Sequence, residues 1–221
     1  MALLLKTLIR FLSGLAITAA LLFLPAGTWS YGRAWLFMAL LFIPILIVGI
    51  VLFVKNPELL HKSLEMKERE QKQRGIVALS GMLLVSSFIV AGLDYRLCWS
   101  RLPDIVVVIA SVVLLVSYAL YAEVLRENVY LSRVVEVQAN QQVVDTGLYG
   151  VVRHPMYGAV SLLYLSIPLV LGSWWALVTM VPCIVMLVLR IQNEEKVLTE
   201  GLAGYADYKR RVRYRMIPFV W

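Results

Sequence analysis

Two polar groups interrupt an otherwise greasy chain, and their residue types are the ones chemistry would need. The first lies within Gly147–Gly158, where Arg153, His154 and Pro155 stand together between Tyr149 and Tyr157; the second is Arg190 with Glu194 and Glu195. Ionisable side chains at the border of hydrocarbon are costly to hold, so by default they read as functional. Pro155 forces the residue before it out of helical geometry and removes a backbone donor, which predicts a fixed bend at a helix entrance with His154 turned toward a ligand. Tyr149 and Tyr157 can offer ring faces to a cation, a contact worth about 0.5–2 kcal/mol. Arg190 and Glu194 are four residues apart and share one face of a helix. They form either a plain intrahelical ion pair or part of a binding site. Glu195 adds a negative charge that one arginine does not compensate, which predicts a cationic ligand nearby. Arg190 can grip a carboxylate through two parallel bonds, a geometry lysine does not reproduce. If a general base takes part, His154 or Glu195 is the candidate.

The elements that must position these groups are membrane helices. Of 221 residues, 61% are hydrophobic and only 16% charged, far from a soluble domain. A crossing helix needs about 20 apolar residues. Runs at roughly 8–25, 34–54, 76–93 and 105–125 meet or approach that, and the apolar block 158–189 reads as a helical hairpin turning at Gly172-Ser173. The expected fold is all-α, a polytopic integral-membrane bundle of about six transmembrane helices forming a single domain over 1–221, with a four-helix scaffold in 1–125 and a catalytic half in 126–221. Lys6 and Arg10 before the first run mimic a signal peptide, but further spans follow at once. Trp29 and Tyr31 look like an interfacial aromatic belt rather than a cleavage site, so that helix is expected to be retained.

Charge gives the expected topology. With both termini cytoplasmic, 18 of the 21 Lys and Arg residues fall inside and only Arg33, Arg96 and Arg101 outside. Six crossings then put both polar groups at one cytosol-facing pocket. The mixed-charge segment 55–75 is expected to be a solvated helical connector. The basic tail Lys209–Arg215 suits either anionic headgroups or a topology signal. The net charge of +7 is not organised as a basic patch with interleaved aromatics, so no nucleic-acid partner is expected. Cys98 and Cys183 lack metal-ligand or disulfide spacing and are expected to be isolated packing residues, with no metal site.

Gln138, the run Val143–Tyr149, Arg153–Gly158, Arg190 with Glu194-Glu195, and Gly204–Tyr208 together resemble the isoprenylcysteine carboxyl methyltransferase family of integral-membrane enzymes. The resemblance covers about residues 120–221. It implies methyl transfer from S-adenosylmethionine to a lipophilic small-molecule or prenyl-type acceptor, the donor held in a pocket formed by the last two helices and their flanking loops rather than by a Rossmann fold. By position it implies donor contacts from Gln138, Gln141, Gln142, Val143, Val144, Tyr149, His154, Pro155, Met156, Tyr157 and Glu194, and substrate orientation by Arg190. The donor's sulfonium and ammonium would meet the excess acidity at Glu194 and Glu195. Eukaryotic members carry a histidine six residues before the glycine matched by Gly147, where this chain has Gln141, which can hydrogen-bond but carries no charge. A prenyl-cysteine carboxylate is the first acceptor implied. The alternatives are a phospholipid amine or a thiol on the same scaffold, and a non-catalytic membrane binding or transport protein with an ion-pair gate.

Overall fold

The structure is a computed structural model that describes residues 2–55, 71–128, 130, 137 and 140–221. Helices α1 (Ala2–Ala26), α2 (Gly32–Lys55), α3 (Gln71–Leu97), α4 (Asp104–Glu127), α5 (Pro155–Leu171) and α6 (Trp174–Gly201) run back and forth, and a short α7 (Tyr205–Arg211) follows. The chain is an all-α polytopic membrane bundle with no strand among the described residues. Five helices, α1 to α4 and α6, are long and apolar enough to cross a membrane. The apolar helix α5, which the sequence reads as part of a sixth crossing, has 17 residues and so reaches only about 25 Å at 1.5 Å per residue. The connector reading for 55–75 and the family position Gln138 fall mainly or wholly on residues outside those described.

Each turn has a local cause. Gly27 and Gly172 end α1 and α5 with φ of +67° and +78°, a conformation that suits glycine. At Gly172 a Cβ would lie 2.2 Å from a guanidinium nitrogen of Arg33, so a larger residue would also displace that side chain. Ser173 then caps α6, its hydroxyl accepting from Ala176 N at 3.0 Å. The hairpin turn thus lies where the sequence puts it.

The connections divide the bundle into two ends. The far end holds the α1–α2, α3–α4 and α5–α6 turns; the near end holds residues 140–154, α7 and the C-terminal tail. An apolar core of Leu22, Phe37, Phe88, Leu114, Val170 and Leu171 fills the far half. Smaller clusters around Tyr157, Leu187, Ile191 and Met216, and around Leu202, Tyr205, Tyr208 and Val212, underlie the near end. Five of the six tryptophans, Trp29, Trp35, Trp99, Trp174 and Trp175, are exposed at the far end, as an interfacial belt requires. Tyr31 is not one of that belt. It is buried, and its hydroxyl donates to the Leu171 carbonyl at 2.6 Å, because that carbonyl at the end of α5 needs a donor. Cys98 is likewise exposed rather than packed, while Cys183 is buried.

Candidate active site

The near end carries a cleft open to solvent. One wall is the segment after α4. Glu127 accepts from Leu148 N at 2.9 Å, and Asn128 Nδ2 donates to the Tyr149 hydroxyl at 2.9 Å, so the end of α4 grips the turn Gly147–Gly150. Gly147 is required there: its φ is +52°, and a Cβ would collide with the Glu127 carboxylate. Burial pushes the Tyr149 phenol up to about 12, partly offset by the bond from Asn128, so it stays protonated.

The second wall is the entrance to α5. Pro155 occupies the first helical turn and His154 sits outside helical geometry at φ −129° and ψ 61°, as the sequence predicts. The C-terminal tail holds this entrance from behind. Arg153 N donates to Tyr214 O at 2.9 Å and His154 N to Arg215 O at 2.7 Å. The Arg153 guanidinium donates to the Val212 and Arg213 carbonyls at 2.6 and 2.9 Å.

The third wall comes from α6, where two adjacent glutamates have opposite surroundings. Successive residues on a helix point about 100° apart. Glu194 lines the cleft and accepts from the Tyr157 hydroxyl at 2.7 Å, while that hydroxyl accepts from Arg190 Nε at 2.9 Å. Arg190 itself is buried behind Tyr157. Glu195 turns the other way and is 3% exposed. It meets Arg153 at 2.7 Å, Arg215 at 3.1 Å and Lys209 at 3.7 Å. The expectation that Glu195 leaves excess negative charge for a cationic ligand is therefore corrected: cations from the α5 entrance, α7 and the tail compensate it. Held by two guanidinium groups, it is also unsuited to act as a base. Arg215 further lies over the Trp221 ring, 5.1 Å from its centroid. This part of the basic tail therefore has an internal use that neither sequence reading contained.

Of the residues singled out in the sequence, Gln141, Gln142, Val143, Val144, Tyr149, His154, Met156, Tyr157 and Glu194 line the cleft together. Pro155 shapes it from within α5, Arg190 supports it through Tyr157, and Gln138 lies outside the described residues. Sequence reasoning missed Asn128, Tyr130, Leu198, Leu202, Tyr205 and Tyr208 as lining groups, and singled out Arg153 without giving it a role of its own. Tyr205 and Tyr208 stood inside a quoted motif but were given no role; their tyrosine spacing beside a glycine was the available signal. Gly204 starts α7 at φ +84° and turns both rings inward. One buried polar atom bordering the cleft, the Tyr205 hydroxyl, has no hydrogen-bond partner among the described residues, whereas His154 Nε2 faces Glu195 Oε1 at 3.4 Å. An unmet polar atom beside an open cleft suits a polar ligand. Among the described residues no His, Cys, Asp and Glu cluster is arranged to hold a metal ion.

Residues 105–203 match the family model for phospholipid methyltransferases, a family in the same group of integral-membrane methyltransferases as the one the motifs resemble. The match runs from α4 through α6, takes in Glu194 and the α5 entrance, and supports a membrane methyltransferase. No curated protein matches the chain.

Proposed function

We propose that this membrane protein transfers a methyl group from S-adenosylmethionine, held in the near-end cleft, to a lipophilic acceptor that arrives from the bilayer. The observation that carries this reading is Glu194: an acidic group faces the cleft and is fixed in place by Tyr157, while its neighbour Glu195 is fully engaged elsewhere. The residues present fit the donor. Tyr205 leaves a buried polar atom unmet at the cleft, and the wall formed by Gln141, Val143, Tyr149, Met156 and Tyr157 alternates hydrogen-bonding and apolar groups as small-molecule sites do. Those residues, with Gln142, Val144 and Glu194, would hold it. The charge count supports a cytosolic position for this end of the bundle.

When bound, S-adenosylmethionine supplies a methyl group on a positively charged sulfur. The protein's part is to hold, orient and dry. Tyr157 receives a hydrogen bond from Arg190 and gives one to Glu194, which fixes the carboxylate in one orientation toward a cation. Met156 and Val143 present apolar surface to a bound donor, and a site dried by that binding would favour a displacement in which opposite charges annihilate. A carboxylate acceptor is already ionised at neutral pH and needs no base. A prenyl-cysteine-type carboxylate is the first acceptor class. A second, a phospholipid amine, is supported by the family match and by the retreat of Arg190 behind Tyr157; His154, which lines the cleft, would then be the candidate to accept the amine's proton.

Calorimetric titration of the detergent-purified protein with S-adenosylmethionine, run beside Glu194→Gln, tests the donor site. Saturable binding that weakens at least about tenfold in the variant is expected, since a hydrogen bond or contact to a charged group is worth roughly 1.5–3 kcal/mol. No binding by folded wild-type protein would overturn the reading. Labelled methyl transfer to prenyl-cysteine and to phospholipid-amine acceptors then separates the two acceptor classes.

A further inference from the structure

Basic residues are scarce at the far end of the bundle, yet two of its three arginines converge. A hollow opens there between the start of α2, the α3–α4 loop and the end of α5, and Arg33 and Arg101 both line it. Arg33 is half-buried and only partly engaged. Its Nη2 donates to Leu102 O at 2.9 Å and to Asp104 at 2.8 Å. Its Nη1 lies against Gly172 on the wall of the hollow, and neither Nη1 nor Nε has a hydrogen-bond partner among the described residues. Arg101 is exposed and makes no hydrogen bond or ion pair among the described residues. Two guanidinium groups with donors to spare around one concavity suit an oxyanion, above all a phosphate. The acid at the base limits its charge. Across the far-end turns Arg33, Arg96 and Arg101 stand against Asp94 and Asp104, which leaves one positive charge and matches a monoanion such as a phosphodiester. The surroundings indicate where that group comes from: Trp99 precedes Ser100 and Arg101, Trp174 follows Gly172 and Ser173, and both rings are exposed in the belt that sits at headgroup level.

We propose that this hollow binds the phosphodiester of a phospholipid from the far-end leaflet, with the Arg101 guanidinium and the free edge of Arg33 donating to its oxygens. The bound lipid bridges α2, the α3–α4 loop and the α5–α6 turn, and so stabilises the bundle at the end opposite the cleft. The site stands whether or not the donor reading holds. Arg96 provides the internal comparison: it has the same charge at the same end, but it lies beside Gly27 and does not line the hollow.

The test follows the thermal midpoint of the detergent-purified full chain as dioctanoyl-phosphatidylglycerol is added, for wild type, Arg101→Gln and Arg96→Gln. A ligand of the folded state raises the midpoint in a saturable way. The half-saturating concentration is expected to rise about three- to tenfold in Arg101→Gln, the loss of charge-assisted bonds at an open site, and by less than about twofold in Arg96→Gln. The lipid-free midpoint of Arg101→Gln should match wild type, because the side chain removed has no partner among the described residues. Dioctanoylglycerol, which lacks the phosphate, is expected to give no comparable rise, and water-soluble glycerophosphoglycerol a rise only at far higher concentration. No saturable rise in wild type, an equal rise with dioctanoylglycerol, or equal losses in Arg96→Gln and Arg101→Gln would overturn the site. Glycerophosphoglycerol acting as well as the lipid would overturn the bilayer as its source and assign the hollow to a soluble phosphodiester.

Discussion

The two ends of the bundle hold buried carboxylates in opposite ways. At the far end Asp94 is 2% exposed and fully engaged: one oxygen accepts from Ser100 N at 2.6 Å, the other from the Ser100 hydroxyl at 2.7 Å and from the Ser173 hydroxyl. Ser173 in turn caps α6, and the Ser100 hydroxyl accepts from Trp174 N at 3.1 Å. Arg33 completes the knot with Leu102 O at 2.9 Å and Asp104 at 2.8 Å. A hollow lies here too, between Gly32, Tyr95, Arg101 and Gly172, but the acid at its base faces only its own serines. The near end combines both behaviours on one helix. Glu195 is closed by cations and Glu194 is open to the cleft. A buried acid in a membrane protein is thus not by itself a site; what distinguishes one is whether the fold has already supplied its partners.

The comparison breaks most visibly at Glu195. Glu195→Ala leaves Arg153 buried without its carboxylate and detaches Arg215 and Lys209, and losing one partner of a buried pair costs about 3–5 kcal/mol. A large fall in the thermal midpoint of the detergent-solubilised protein is expected; an unchanged midpoint would mean that the tail is held by its backbone bonds alone. Asp94→Ala should cost less, roughly 1–3 kcal/mol for the donors left unmet. It should also leave affinity for S-adenosylmethionine within about twofold, because the knot lies at the other end of the helices. A parallel loss of donor affinity would show that the two ends are coupled through α3 and α6.

What could be read in advance follows the range of the interactions involved. Apolar runs, the Gly172-Ser173 turn and the bend at His154-Pro155 are local and were legible residue by residue. The gathering of Tyr149, His154, Tyr157 and Glu194 at one cleft followed from counting crossings. The partner of a buried charge is not local. Arg153 and Arg215 are 42 and 20 residues from Glu195, and nothing in the spacing says that Glu195, rather than Glu194, faces them. Asp94 drew no notice in the sequence because its significance depends on Ser173, 79 residues away. Tyr31 read as a belt residue because type and position suit either an interface or a buried hydroxyl with a carbonyl to serve.

The finest version of the comparison is within the near end, between Arg153 and Arg190. Both are buried, but Arg153 serves the closed carboxylate and Arg190 the open one, through Tyr157. Arg190→Lys keeps the charge yet removes the Nε donor, so the Tyr157 hydroxyl loses the bond that orients it while still able to donate to Glu194. Donor affinity should therefore change by less than about threefold, while turnover on a confirmed acceptor falls by roughly three- to tenfold, the worth of one positioning hydrogen bond. Titration and single-turnover transfer measured on the same preparation separate the two effects. Equal turnover in the lysine variant would assign Arg190, like Arg153, to holding the fold, and would leave Tyr157 and Glu194 as the only members of that chain that act on the ligand.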